Sequence, residues 1–269
     1  MISLPSKPKV IKKEKNKATF EIEALYPGYG ITMGNSLRRV LLSSLEGAAA
    51  TNVKIRGVSH EFSTISGVYE DVINIMLNLK QLRFKIFTEE PQKVTLKVKG
   101  EKEIKGSNLK IPPQLELVNK DAHIATLANK TASLEMEIQV EKGIGYVSRE
   151  TEKKEKLAVG VIPLDAIFTP VQRVSFRVEN MRVGKRTDYD RLFLEIETDG
   201  TISPQEALSK ASQILLKHFD LFYETFAEKG SPKKEPAAKV SKAEKKEKKK
   251  ATKKSKKESH EKKKKRKKA

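Results

Sequence analysis

Three glycines, in Tyr26-Pro27-Gly28-Tyr29-Gly30-Ile31-Thr32-Met33-Gly34, are the first residues of the chain whose type and spacing could do chemistry. A glycine-rich turn ahead of a helix can cradle a phosphate on backbone N–H groups. The spacing here is G-x-G-x-x-x-G, which is neither the dinucleotide fingerprint nor a P-loop, and no Gly-Lys-Ser/Thr follows. A tight turn that feeds a strand into a helix is the favoured reading. The four histidines, His60, His123, His218 and His260, include no pair at metal-ligand spacing. Asp188 and Asp190 lie at i and i+2 and could grip a cation, but an ion pair of this turn with Arg186 or Arg191 is favoured. Ser43-Ser44 has no base beside it in sequence. There is no cysteine, which excludes disulfides, thiolate catalysis and cysteine zinc sites. Nucleotide chemistry on two metal ions needs clustered carboxylates, and no D-x-D-x-D triad is present. No catalytic residue, metal ligand or cofactor site is expected on this chain.

The elements around these residues point to protein partners instead. The glycine stretch runs into Asn35-Ser36-Leu37-Arg38-Arg39-Val40-Leu41-Leu42-Ser43-Ser44-Leu45. With Leu37 at 0°, Val40 falls at about 300°, Leu41 at about 40°, Leu45 at about 80° and Leu42 at about 140°. That apolar arc spans about 200°, where about 100° suffices for a surface helix. Arg38 lies inside it, between Leu45 and Leu42, while Arg39 takes the polar face. Such a helix is either sandwiched between layers or shared with a partner. Gly47 is expected to end it, followed by a small-residue hinge over Ala48–Asn52.

Ala18, Phe20, Ile22 and Ala24 alternate with polar residues and fit a half-buried strand. Val53, Ile55 and Val58 resume a strand pattern. A helix is expected over Glu70–Lys80, with Val72, Ile73, Met76 and Leu79 on one face. Short strands follow, among them Val94–Val98, Leu134–Val140 and Leu157–Val161, with turns at Pro112-Pro113 and Gly143–Tyr146. Val174–Val178 and Leu192–Ile196 read as a hairpin turning at Gly184–Asp188. Ser203-Pro204-Gln205-Glu206 is a capping box with proline at the first helical position. Behind it Leu208, Ala211, Leu215, Phe219, Phe222 and Phe226 form a stripe of about five turns, again excessive for one domain.

The chain has 269 residues and a formal net charge of +20. The charge is uneven: Ser231–Ala269 holds 20 Lys and Arg against 5 Glu, and the preceding 230 residues hold 35 basic and 30 acidic side chains. A segment this charged and this poor in apolar residues cannot offset its ordering entropy, so disorder is expected there. No secretory signal and no transmembrane helix is expected, so no membrane partner follows.

Tyr26 through Ser44 closely resembles the signature of the bacterial DNA-directed RNA polymerase alpha subunit family. Further blocks resemble it in the same order: Gly57–Thr64, Glu70–Lys80, Lys142–Val147, Arg186–Asp190 and Glu197–Ala207. The resemblance covers residues 10–228. It implies an α+β fold with a dimerisation subdomain of antiparallel sheet and two long helices (residues 1–50 and 171–229). A β-rich subdomain is inserted at 51–170, and a disordered Lys-rich tail occupies 230–269. It implies a non-catalytic scaffold that homodimerises and nucleates assembly of the beta and beta-prime subunits. That complex transcribes DNA into RNA from ribonucleoside triphosphates, with its Mg²⁺ in the catalytic subunit. The dimer interface is expected at Leu37, Val40, Leu41, Leu45, Leu215, Phe219, Phe222 and Phe226. Large-subunit contacts are expected at Arg38, Arg39 and Lys80. A cytoplasmic, nucleoid-associated location follows.

The family usually continues into a small helical domain that binds promoter DNA; here the lysine-rich stretch stands in its place. Lys262, Lys263, Lys264, Lys265, Arg266, Lys267 and Lys268 suit phosphate contacts with DNA or RNA without base readout. The alternative is a solubility tail. DNA is otherwise a partner only through the assembled polymerase. Two other classes stand beside the scaffold: a free-standing basic nucleic-acid-binding protein, and an enzyme with a site at Gly28–Gly34.

Overall fold

The computed structural model of the chain describes residues 2–148, 158 and 160–227. The expected tail therefore lies outside the described residues, as do Leu157 and Val159 of one expected strand. The fold is α+β and its sheets are antiparallel throughout. Residues up to Leu221 form one compact unit, and Phe222 onward is a second unit that includes the last turn of a helix.

The first sheet has the order β1-β2-β14-β13, with β1 at Lys9–Lys13, β2 at Lys17–Leu25, β13 at Val171–Val183 and β14 at Arg186–Thr198. Its strands come from the two ends of the described chain. The alternation of β2 sends Ala18, Phe20 and Ile22 to one face, where Leu194 and Ile196 of β14 join them. Helix α1 (Tyr29–Ser43) and the start of helix α3 (Pro204–Phe226) contribute Leu37, Leu41, Ala207 and Ala211 to that core.

The second sheet is assembled from residues in between. Its backbone is β3 (Glu46–Ile55) against β9 (Ser133–Ile144), with β5 (Gln92–Lys99), β4 (Phe84–Ile86), β7 (Leu115–Leu117) and β11 (Val161–Pro163) added on. Two ribbons accompany it: β6 (Lys102–Lys105) with β8 (His123–Leu127), and β10 (Tyr146–Val147) with β12 (Ala166–Ile167). Helix α2 (Val72–Lys80) lays Val72, Ile75, Met76 and Leu79 into a core shared with Val94, Leu96, Ile138 and Val140.

Several expectations are corrected by this geometry. Gly30 and Gly34 lie within α1, not in the turn before it; only Gly28, at φ 85°, takes the turn conformation. The other two are there for space. A Cβ on Gly30 would lie 2.7 Å from Val178 Cγ1, and one on Gly34 would lie 2.6 Å from the Phe176 ring. Helix α1 stops at Ser43, and Gly47 belongs to β3, where a Cβ would lie 1.8 Å from the Phe168 carbonyl oxygen. Ala48–Asn52 is strand, not hinge: small side chains let β3 pair with β9 from Glu46 onward.

Helix α2 starts at Val72, because Asp71 caps it by accepting from Asn74 N–H at 2.7 Å. Its buried arc is Val72, Ile75, Met76 and Leu79, which lie within about 100° of one another, and Ile73, about 60° beyond that arc, is exposed rather than part of it as expected. The β13–β14 turn is shorter than expected: Val183 already pairs with Arg186, so Arg186–Asp188 is strand. Gly143 and Ile144 likewise close β9, and Gly145, at φ 70°, makes the break.

Candidate interaction surfaces

Helix α1 presents three faces. Leu37 and Leu41 are buried in the chain's own core, and so is Leu45, which follows the helix. On one flank Tyr29, Met33 and Val40 fall at about 280°, 320° and 300° from Leu37; Tyr29 is exposed, and Met33 and Val40 are half-buried. On the other flank Ile31, Arg38 and Leu42 fall at about 120°, 100° and 140°. Ile31 and Arg38 are exposed there and Leu42 is half-buried.

Arg38 is therefore not wedged inside the apolar arc as the helical wheel requires. The wheel continues the helix through Leu45, whereas the backbone leaves helical geometry at Ser44 and carries Leu45 into the core. Arg38 and Arg39 instead line a shallow concavity with Asn35, Leu42 and Ser43. Among the described residues neither arginine has a carboxylate partner. Arg39 is further fixed along the helix by Ser43 Oγ, which donates to its carbonyl oxygen at 2.7 Å.

Lys80 stands differently. At the end of α2 its Nζ donates to Asp165 Oδ2 at 2.6 Å, and Arg83 Nη1 donates to its carbonyl oxygen at 3.2 Å. Its ammonium is half-covered and already paired within the chain.

Helix α3 divides along its length. Ser203 Oγ accepts from Glu206 N–H at 3.2 Å, the first half of the expected capping box. Ala207 and Ala211 are fully buried, and Leu208, Ile214 and Leu215 pack partly on the same core. From Leu216 to Phe226 every residue is exposed. Phe219, Phe222 and Phe226 are 60%, 58% and 81% exposed, with Leu216, Leu221 and Tyr223 beside them. Of the residues expected at a dimer interface, then, Leu37, Leu41 and Leu45 are core, Val40 and Leu215 are half-buried, and the three phenylalanines are open. The expected nucleic-acid residues Lys262–Lys268 lie outside the described residues.

Two arrangements were not legible from the sequence. Asp190 is buried, and its Oδ2 accepts from Gly28 N–H at 2.9 Å and Gly30 N–H at 3.0 Å. Asp188, two residues away on the same strand, pairs with Arg186 in the expected ion pair, at 3.0 and 2.6 Å. The pairing holds the Asp188 carboxyl below its usual range. Arg186 also lies over the Tyr26 and Tyr189 rings. The i, i+2 spacing gave no signal, because it puts both carboxylates on one face of a strand; Asp190 is the one buried because the start of α1 lies over it.

The second arrangement joins Glu70 to β8. Glu70 accepts from Thr126 N–H at 2.6 Å and Thr126 Oγ1 at 3.0 Å, and its Oε1 lies 2.9 Å from His123 Nε2. Glu103 Oε1 approaches the other ring nitrogen at 3.3 Å. Burial pushes the Glu70 carboxyl upward, but the hydrogen bonds from Thr126 and His123 outweigh it and leave the group below its usual value. No cluster of three or more acidic or histidine side chains among the described residues is placed to hold a metal ion. No described helix is long and apolar enough to cross a membrane.

Comparison with known proteins gives these surfaces a context. Residues 53–169 match the RNA polymerase Rpb3/RpoA insert domain. The chain is 50% identical over 230 residues to the DNA-directed RNA polymerase subunit alpha of Syntrophomonas wolfei, covering 82% of this chain and 72% of that protein. It is 50% identical over 218 residues to the alpha subunit of Carboxydothermus hydrogenoformans, covering 80% and 69%. With the alpha subunit of Clostridium perfringens the identity is 49% over 234 residues, covering 84% and 74%. Identity at this level over most of both chains places the protein: it belongs to the family of the DNA-directed RNA polymerase alpha subunit.

Proposed function

We propose that this chain is the non-catalytic scaffold of a DNA-directed RNA polymerase: it pairs with a second copy of itself, and the pair assembles the beta and beta-prime subunits. One observation carries the self-association. The apolar stripe of α3 that is buried at Ala207 and Ala211 continues without a break into exposed phenylalanines. Exposed aromatics in a contiguous stripe mark an interaction site. The half-open flank of α1, with Tyr29, Met33 and Val40, is a second apolar strip for the same purpose. The dimerisation part comprises the first sheet with α1 and α3, and the insert comprises the second sheet. No active site is assigned to this chain; the reaction belongs to the assembled complex.

Arg38 and Arg39 are assigned to a large subunit, because their donors are free of carboxylates and sit beside Leu42. A planar guanidinium suits such a contact through bidentate hydrogen bonds. Lys80 serves the same surface less directly, through its pairing with Asp165. The lysine-rich segment 231–269 is assigned to nucleic-acid phosphates, on its charge alone.

Co-purification of the chain with the large subunits, together with its sedimentation, tests the reading. A dimer that captures both large subunits is expected, and a monomer that captures neither overturns it. Arg39→Ala should lower capture of the beta subunit and leave the dimer intact. Deleting 231–269 should preserve assembly and weaken DNA retention at low salt. Loss of the main function with that deletion would favour a free-standing nucleic-acid-binding protein.

A further inference from the structure

The first turns of α1 contain little that holds them as a helix. Gly30 and Gly34 both lie there, and glycine is a poorer helix former than any residue but proline. The N-cap is Gly28, which has no side chain to receive the unpaired N–H groups of the first turn. Asp190 supplies what is missing, from β14. Its buried Oδ2 receives the N–H groups of both Gly28 and Gly30, where the partial positive charge of the helix end favours a carboxylate. Gly30 leaves the room for it: a Cβ there would lie 3.0 Å from Asp190 Cβ and from Oδ2. The register of β2 and β14 pairs Leu25 with Asp190 and so brings the carboxylate to the turn.

These same turns carry Tyr29 and Met33, which complete with Val40 the half-open flank of α1. From this geometry we infer that Asp190 is a positioning residue for self-association: it holds the first two turns of α1 in helical form, so that Tyr29 and Met33 stand in line with Val40 for the second copy. The inference rests on the dimer reading above. It assigns to a residue of the first sheet's hairpin the job of shaping a contact surface it does not itself reach.

The test uses the full chain, with the dimer constant read by sedimentation and helix opening read by amide exchange. Asp190→Ala is expected to weaken the dimer about tenfold and to speed exchange at residues 29–34 about tenfold, the scale of a lost buried charge-assisted hydrogen bond. Exchange in β2 and β14 stays as in the parent. Asp190→Asn keeps an acceptor oxygen and restores the dimer to within about threefold of the parent. The inference is overturned by a parental dimer constant in Asp190→Ala, by faster exchange throughout β2 and β14, or by Asp190→Asn behaving like Asp190→Ala. The parent chain and Phe219→Ala separate the two levels. If the parent chain itself sediments as a monomer, the dimer reading falls and the role of Asp190 with it. If Phe219→Ala dissociates the dimer and Asp190→Ala does not, only the role of Asp190 falls.

Discussion

The insert and helix α3 treat apolar surface in opposite ways. Around α2 the core closes on itself: Val72, Ile75, Leu79, Val94, Ile104, Ile124, Ile138 and Val140 are all 0% exposed. In α3 the same kind of stripe begins in a core at Ala207 and ends at Phe226 in the open. Burying a phenylalanine contributes about 1.5–3 kcal/mol, and a folded chain that forgoes this three times on one helix keeps surface for something else. On the proposed dimer, the contrast predicts that substitutions in the first group harm folding and substitutions in the second harm association.

Predictions can break or sharpen that contrast. The largest effect is expected from Phe84→Ala, whose ring is 1% exposed between β3 and β7. It should lower unfolding stability by about 3–5 kcal/mol, read by urea denaturation. The paired change Phe219→Ala with Phe222→Ala should do the reverse. Self-association should weaken by at least about 2 kcal/mol by sedimentation, while unfolding of the separated chain shifts by no more than about 0.5 kcal/mol. If both sets cost the same in denaturation, the contrast fails and the α3 phenylalanines are structural.

A smaller effect distinguishes the insert by pH. The folded Glu70 carboxyl is held below its unfolded value, so its contribution is present above the unfolded value and is lost as pH falls through the folded one. The denaturation midpoint of the parent should therefore drop through that acid window, and Glu70→Gln should flatten the drop. A parental acid profile in Glu70→Gln would show that the Glu70 link to β8 does not support the insert. The smallest effect is expected at Ala24, the one non-glycine residue at positive φ (62°) among the described residues. Ala24→Gly should relieve strain and raise stability by about 0.5 kcal/mol, the left-handed penalty being partly offset by the freedom glycine adds to the unfolded chain.

Much of the architecture follows from local pattern. The alternation in β5, β9 and β14, and in β2 as far as Ile22, survives because one face of each is buried; the expected step to Ala24 fails, because the chain kinks there at positive φ and Leu25 takes the buried place. The start of α3 was readable from Ser203-Pro204-Gln205-Glu206, since a capping box uses only neighbouring atoms. Helix ends set by distant groups were not readable. Gly47 looks like a helix terminator in one dimension and is a point of close contact with Phe168 in three. Arg38 appeared trapped because a wheel has no way to know that the helix stops at Ser43.

The sequence by itself determined the family, through blocks of ordered residues from Tyr26 to Ala207, and it determined the excess apolar width of two helices. It also determined the charge of the last segment, which needs no fold to be counted. Only the tertiary structure decided how that apolar width divides: Leu37, Leu41 and Leu45 inward, Tyr29 and the α3 phenylalanines outward. Only it brought Asp190 to Gly28 and Gly30, two of the three glycines of the opening stretch. The reason is physical. Local pattern fixes what a segment can bury and which face would do it, while the neighbour that takes the face, and the carboxylate that ends a helix from another strand, are set by contacts between residues far apart in the chain.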